Sequence, residues 1–321
     1  MRSKLKASFL CLAVVGSVNA AHAEWPERPI TIVVPFSAGG NTDSIARISA
    51  EWLTRKLKQS VIVENKPGAN GAIAAEFVAA ANADGYTLFM ATLPQMAILP
   101  HLQKVKYDPV SSFEPVTIVA TNPFALAVAS NIPAQNLAEL VKLAKAKPGD
   151  LAYASAGTGS VSHLSMSLFA QRAGIELNHV PYKGGSPAIS DVLGGQVPMY
   201  FGNLAEIIPQ YKSGKFKALA VSSDKRVSQM PDVPTIAEQG YAGFSTHTWN
   251  AISAPAGTPK SAISTLTNAM KSALQDPAFV SKLNAIGVDP LCNTPEEFAN
   301  VLKKDIVQWG TAVKISGAKA G

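Results

Sequence analysis

Short runs of β-branched and apolar residues alternate along the chain with stretches whose apolar positions recur at helical spacing. The strand-like runs are Ile30–Pro35, Val61–Glu64, Tyr86–Met90, Val116–Ala120, Phe124–Ala129, Leu151–Ala154, His179–Pro181, Met199–Phe201 and Ala218–Ser222. Between them, Ile45, Ile48, Trp52, Leu53 and Leu57 fall on one face of a helix. Val161, Leu164, Leu168 and Phe169 do the same after a glycine-rich turn. This order predicts an α/β fold on mostly parallel sheets, with Trp52 and Phe169 in the core.

The pattern changes after Ser222. Thr258-Pro259 reads as an N-cap and first helical residue ahead of Ile263, Leu266, Met270 and Leu274. Thr294-Pro295-Glu296-Glu297 has the form of a capping box, opening a helix with Phe298, Leu302, Ile306, Trp309 and Val313 along one stripe. These late helices need a sheet to cover, and few strands follow, so the chain is expected to return to its first domain. A chain of 321 residues also exceeds the length at which one core usually divides. We therefore expect domain 1 to comprise residues 24–120 and 235–321 and domain 2 residues 121–234, joined by two crossings.

A hydrophobic content of 47% excludes intrinsic disorder. The formal charge of +6 invites a nucleic-acid reading, but its location removes the invitation. Arg2, Lys4 and Lys6 precede the apolar run Ala7–Val18 and the small-residue site Ala21-His22-Ala23, the layout of a secretory signal peptide cleaved after Ala23. Without that leader, 25 cations face 22 acids across 298 residues, with no basic stripe. Cys11 lies in the leader with no lipobox around it. Only Cys292 then remains, so no intramolecular disulfide forms, and a buried, inert thiol is the expectation.

Three junctions, each placed after a strand and before a helix, share one chemistry. They are Val34–Asp43, Tyr153–Ser160 and Val180–Pro187. Free N–H groups at a helix start, with glycine admitting close approach, suit an anion. None continues as G-K-[ST], and Gly157-x-Gly159-x-x-Ser162 lacks the third glycine of a dinucleotide fingerprint. Small organic anions remain. A single such turn is most simply a tight connection whose glycines satisfy geometry; three, split between two domains, point to a shared cleft. No metal-ligand spacing, cofactor motif or G-x-S-x-G is found, and Ser160 with His163 at i,i+3 does not by itself form a nucleophile–base pair. No enzyme activity is expected.

At these residues the chain resembles the substrate-binding proteins of tripartite tricarboxylate transporters, the Bug or TctC type. The matching stretches are Trp25-Pro26-x-Arg28-Pro29-Ile30, Val34-Pro35-Phe36-x-Ala38-Gly39-Gly40-x-x-Asp43-x-x-Ala46-Arg47, Val63–Ala69 with Gly71, and Asp84–Leu88. Further on come Val180–Gly184, Gly194–Val197, Asp232–Thr235 and Ala254–Pro259. The resemblance implies a two-domain periplasmic binding protein fold of type II-like form, with the ligand cleft between the domains. It also implies a periplasmic receptor that closes on a small carboxylate, a di- or tricarboxylate or an aromatic acid, and delivers it to a two-component permease of the inner membrane. A sensory receptor feeding a signalling partner is the alternative. No nucleic-acid partner is implied, and a monomer is expected.

On the same resemblance, the ligand carboxylate is held by Phe36, Ser37, Ala38, Gly39, Gly40, Asn41, Thr42 and Asp43. The rest of the ligand is read by Ser155, Gly157, Thr158, Gly159 and Ser160 and by Tyr182, Lys183, Gly184 and Gly185. Thr92 and Gln95 are expected to line the cleft, with Asn203 on the second wall. Phe36 either stacks on the ligand or plugs the loop. Asp43 complements the helix dipole and holds the loop, and Arg47 pairs with it at i,i+4. His163 either donates to the carboxylate or bonds the loop; Lys183 is the candidate counter-charge. The chain departs from the family pattern at Gly202, where an Asp is common, which removes an acceptor and disfavours an amine-bearing ligand. It departs again at Ala91–Ala97.

Overall fold

The computed structural model describes residues 25–319, so the expected leader lies outside the described residues. The first half builds β1 (Ile30–Val34), α1 (Asn41–Leu57), β2 (Val61–Asn65), α2 (Ala72–Ala79) and β3 (Thr87–Thr92). A π-helical turn, Pro94–Ile98, runs into α3 (Leu99–Leu102). The long strand β4 (Phe113–Ala129) leads into α4 (Leu137–Ala146), β5 (Ala152–Ser155), α5 (Val161–Ala173), β6 (Asn178–Pro181) and α6 (Gly185–Leu193). The second half continues with β7 (Met199–Asn203), α7 (Leu204–Lys212) and β8 (Phe216–Val221). The chain then returns through β9 (His247–Pro255), α8 (Lys260–Ala273), α9 (Pro277–Ala285), β10 (Asp289–Pro290) and α10 (Pro295–Ser316).

The sheet order is β2-β1-β3-β9-β4-β7-β5-β6, with β10 pairing the middle of β4 at Ala120 and Thr121 and β8 pairing its last residues, Ala125–Ala129. β1 is buried on both faces, so its run of Ile and Val serves two cores. Ile30, Ile32 and Val34 pack with Ile45 and Leu53 of α1, while Val33 joins Ala74 and Val78 of α2. Pairing is parallel within β2-β1-β3 and within β7-β5-β6. It is antiparallel wherever β4 or β9 takes part. The expectation of mostly parallel sheets is thus corrected. β4 leaves the first half and β9 re-enters it, and two such crossings side by side must run in opposite directions.

β4 changes partners along its length. Phe113–Pro123 pairs with β9, and Phe124–Ala129 pairs with β7 and β8. Ser222 secures the change-over: its N–H donates to Phe124 O at 2.8 Å, its Oγ accepts Phe124 N–H at 3.0 Å, and its carbonyl accepts Thr246 N–H at 2.9 Å. Residues 235–246, expected with domain 1, begin on β8: Val221 N–H donates to Pro234 O and Ile236 N–H to Val221 O. Tyr241 and Phe244 pack edge-on against Phe169 of α5.

Helix α10 opens on the expected capping box: Thr294 Oγ1 accepts Glu297 N–H, and the Glu297 carboxylate accepts Thr294 N–H at 2.8 Å. It shares one core with both halves, since Leu302, Trp309 and Val313 join Phe89 of β3 and Leu164 and Phe169 of α5. Its buried Asp305 accepts Trp249 Nε1–H from β9 at 2.7 Å. Burial pushes the Asp305 carboxyl up from its ordinary range, against the opposing pull of Trp249, His247 and Lys304. The start expected for α8 moves by one residue. Pro259 is the cap position, and Thr258 Oγ1 donates to Pro255 O at 2.8 Å instead of capping. Cys292 is buried as expected, its thiol pushed up to about 12 by burial.

Two stability predictions follow from α10. Thr294→Ala removes the cap and should cost about 1 kcal/mol in urea unfolding. Asp305→Ala strands the buried Trp249 N–H and should cost about 1–3 kcal/mol. Asp305→Asn keeps an acceptor without a charge. Because the folded carboxyl titrates above its unfolded value, its contribution weakens as pH rises from the unfolded value upward. The Asn variant should therefore match or exceed the parent's stability at pH 7.

Candidate functional site

The first junction is shaped by one carboxylate. Asp43 is buried at the start of α1, where Oδ2 accepts Gly39 N–H at 2.8 Å and Arg47 Nε–H at 2.9 Å. Oδ1 accepts Asn65 Nδ2–H at 2.9 Å, and the same amide donates to Phe36 O at 2.9 Å. Burial acts to raise its pKa, but the Arg47 guanidinium, the Gly39 N–H and the Asn65 amide together hold it below the ordinary value. Asp43 thus holds the loop, as expected of it, with both oxygens engaged by protein donors. No side chain caps α1, so the N–H groups of its first turn keep their donors. Phe36 is partly exposed, and Ser37, Ala38, Gly39, Gly40 and Asn41 are exposed beside it, with Thr42 half-buried.

Phe36 faces a cleft of about 330 Å³ that both halves line. From the first half come Phe36, Asn70, Gln95 and an apolar wall of Pro94, Ile98, Leu99 and Leu102. From the second come Ala156, Gly157, Thr158, Gly159, Ser160 and Val161, the second junction entire. None of these side chains is ionisable. Gln95 is buried; it accepts a hydrogen bond from Thr92 Oγ1 and donates Nε2–H to Asn70 O at 2.8 Å. Gly71 makes room for it, since a Cβ there would stand 2.5 Å from Gln95 Nε2. Thr92 itself lies beneath, holding Gln95. Across the cleft, Gly159 adopts φ +76°, and a Cβ on it would meet Leu102 Cδ1 at 2.8 Å. The two halves touch at this glycine.

Several expected contacts are directed elsewhere. Ser155 is fully buried, and its Oγ accepts Gly157 N–H at 3.1 Å behind the turn. Ser160 caps α5 by accepting His163 N–H, while the His163 ring turns back so that Nδ1 accepts Gly159 N–H at 3.1 Å. Of the two expected roles of His163, the bond to the loop is the one present, and the ring lines the recess behind the turn instead of the cleft; the Ser160 hydroxyl bonds the His163 backbone N–H, not its ring. The third junction lies beside the second, tied by Tyr182 N–H to Ser155 O and Gly184 N–H to Ala156 O, and does not line the cleft. Tyr182 Oη donates to Asp191 Oδ2 at 2.6 Å. Lys183 is exposed and makes no ion pair among the described residues. Asn203 caps α7, its Oδ1 accepting Ala205 N–H.

The space over Gly202 is filled by the Tyr200 ring, whose hydroxyl donates to Glu206 Oε2 at 2.8 Å. Glu206 in turn occupies the space a Cβ on Gly185 would need at the start of α6. A carboxylate is therefore present near Gly202 after all, though not among the cleft-lining residues, and burial pushes its pKa up. Sequence reasoning missed Asn70 and the wall from Pro94 to Leu102. The Asn65–Gly71 stretch carried a signal for Asn70, because consecutive Gly-Ala-Asn-Gly residues mark a turn next to the cleft.

Two larger recesses lie outside the cleft. One, about 570 Å³, flanks the crossing strands and carries both signs of charge in Asp224, Lys225, Arg226 and Asp289. The other, about 540 Å³, lies behind the second junction around His163 and His179. Neither gathers residues from the glycine-rich junctions of both halves, which is why the smaller cleft is the candidate site.

Comparison with known proteins gives the family and the fold. Residues 45–317 match the profile of TctC, the tripartite tricarboxylate transporter family receptor. The protein BugT of Bordetella pertussis (strain Tohama I) is 36% identical over 313 residues, 97% of this chain and 96% of its own. A Rhodopseudomonas palustris protein solved with adipate is 35% identical, with a TM-score of 0.78 over 92% of this chain and 99% of that one. MatC of the same organism, solved with bound malate, is 32% identical, with a TM-score of 0.74 over 90% of this chain and 100% of that one. The fold is the two-domain periplasmic binding protein fold, in a family of solute receptors for small carboxylates and not of enzymes. The chain belongs to the tripartite tricarboxylate transporter receptor family.

Proposed function

We propose that the protein captures a small carboxylic acid in the cleft between its halves and hands it to a two-component permease of the inner membrane. It acts as a periplasmic monomer, after cleavage of its leader behind Ala23. The observation that carries this reading is the composition of the cleft: the Asn70 and Gln95 amides from the first half, the Thr158 and Ser160 hydroxyls and the glycine turn before α5 from the second, and no ionisable side chain. Neutral donors at a helix start favour an anion without demanding an ion pair. The carboxylate reaches from this cleft, past Phe36 at its edge, to the uncapped first turn of α1, whose N–H groups lie outside the lining itself, with Gln95 and Asn70 near it and Thr158 and Ser160 closing from the other side. The boundaries of the second domain fall where β4 changes partners near Asn122 and where β9 begins near His247.

The ligand has a compact apolar body. Phe36, Pro94, Ile98, Leu99 and Leu102 offer it an apolar wall, and no carboxylate in the lining would pair with an ammonium group. The relative solved with adipate, an aliphatic dicarboxylate, supports this reading. Aromatic acids and short aliphatic mono- or dicarboxylates are therefore favoured over amino acids.

Thermal-shift measurements on protein stripped of bound ligand by unfolding and refolding should find stabilisation by adipate or benzoate. At a hundredfold excess over Kd this amounts to roughly 2.7 kcal/mol. Aspartate and lysine should have no such effect. A protein indifferent to every carboxylate would defeat the reading. Calorimetric titration of Phe36→Ala with the acid that binds should show affinity weakened by roughly 1–2 kcal/mol. Phe36 is partly exposed, so the unliganded variant should melt as the parent does. Unchanged affinity in this variant would place the ligand elsewhere.

A further inference from the structure

Behind the cleft, the second half carries two histidines that ligand binding as described does not use. His163, in the first turn of α5, and His179, on β6, stack with ring centroids 3.8 Å apart and planes 1° from parallel. Tyr153 of β5 lies against the stack, its ring 5.0 Å from that of His179. Each imidazole is attached to the Ala156–Ser160 turn. His163 Nδ1 accepts Gly159 N–H at 3.1 Å. His179 Nε2 is 2.6 Å from Ser155 Oγ, the atom that accepts Gly157 N–H. Both glycines sit at positive φ, +131° for Gly157 and +76° for Gly159, and the N–H of each is held by one of these two acceptors.

The two attachments respond differently to a proton. A serine hydroxyl donates or accepts as required, so the Ser155 contact survives either state of His179. Nδ1 of His163 accepts only while it is bare. A proton there would set N–H against N–H at Gly159, where Leu102 of the other half leaves no room for a Cβ. The remaining groups facing the stack are few. Tyr153 from β5 and Glu176 from the α5–β6 connection line the same recess, and α10 brings only Ile315 and Ser316 to it. Burial first, then the neighbouring His179, pushes His163 down to about 4, and burial also lowers His179. At this separation each ring disfavours a charge on the other.

We propose that His163 is a positioning residue for the ligand cleft. Its neutral ring fixes Gly159, and with it the Thr158–Ser160 donors, in the shape that accepts a ligand; protonation of the ring releases that shape. His179 supports it through the stack and through Ser155. The proposal rests on the carboxylate reading of the cleft. Its sign is set by the neutral form: binding is at full strength at neutral pH and is lost as pH falls through the titration of His163.

The test compares His163→Asn with His163→Phe in the full mature chain, using benzoate and adipate as probes. Asparagine places Oδ1 near the position of Nδ1, as an acceptor that takes up no proton in this range. Phenylalanine keeps the ring and offers no acceptor. At pH 7 the Phe variant should bind about five- to tenfold more weakly and the Asn variant about as well as the parent. On acidification, the parent's Kd divided by that of the Asn variant should rise about twofold where half the rings are protonated, and about tenfold one pH unit lower. This ratio cancels the probe's own titration. Equal weakness of the two variants at pH 7, or a flat ratio, would overturn the proposal.

A ligand-free measurement separates this proposal from the reading beneath it. In amide NMR the Gly159 resonance should follow the His163 titration in the parent and stay still in the Asn variant. A Gly159 resonance indifferent to pH in the parent overturns the positioning role whatever binds. A titrating Gly159 in a protein that binds neither acid counts against the carboxylate reading alone.

Discussion

The cleft depends on the direction in which the Asp43 carboxylate points. Asp43 sits in the first turn of α1, where a carboxylate complements the helix dipole. Turned outward, it would occupy the donors that an anion needs and repel that anion as well. It is turned inward instead and buried, with Gly39 N–H, Arg47 and Asn65 around it. The loop is therefore held from behind, while the amides on its outer side remain open. The second half repeats the device with neutral groups: Ser155 and His163 hold Gly157 and Gly159 from behind the turn. In both cases polar side chains that resemble ligand contacts are the supports of backbone donors.

A cleft between two halves works only if the halves are linked yet able to move. Two strands cross between them, and the bonds from Ser222 to Phe124 and Thr246 gather both crossings at one point. Asn122 and Asn250 are buried there, with Asn250 Nδ2 3.4 Å from Asn122 Oδ1. Helix α10 adds a third link, bonded to β9 through Asp305 and Trp249 while packing on α5. Any closing motion must slide or tilt α5 against this helix. On the cleft side the halves approach closely at Gly159, where a Cβ would meet Leu102.

Much of this was legible in the amino-acid sequence, for physical reasons that also explain the gaps. The β-branched runs found the strands that alternate with helices, and the capping box at Thr294 found the start of α10. β9 escaped because His-Thr-Trp-Asn-Ala-Ile-Ser-Ala-Pro is buried along nearly its whole length and so shows no alternation. The wall from Pro94 to Leu102 escaped because a π-helical turn running into a short helix has no periodic signal. The glycine-rich junctions marked where backbone donors would be, but not which hydroxyls and imidazoles would turn toward the loops. That choice rests on non-local partners, as in the pairing of Ser155 with His179 and of Tyr182 with Asp191.

The central claim is that a carboxylate is held by backbone amides at the start of α1, not by a charged side chain. Its most direct measurement is an amide NMR titration of the mature protein with the acid that stabilises it. The account predicts that the resonances of Gly40, Asn41 and Thr42 move most in the first half, together with those of Thr158–Ser160 in the second. If those amides stayed still while resonances near Lys183, or around the Asp224–Arg226 recess, tracked the bound fraction, the account would be contradicted.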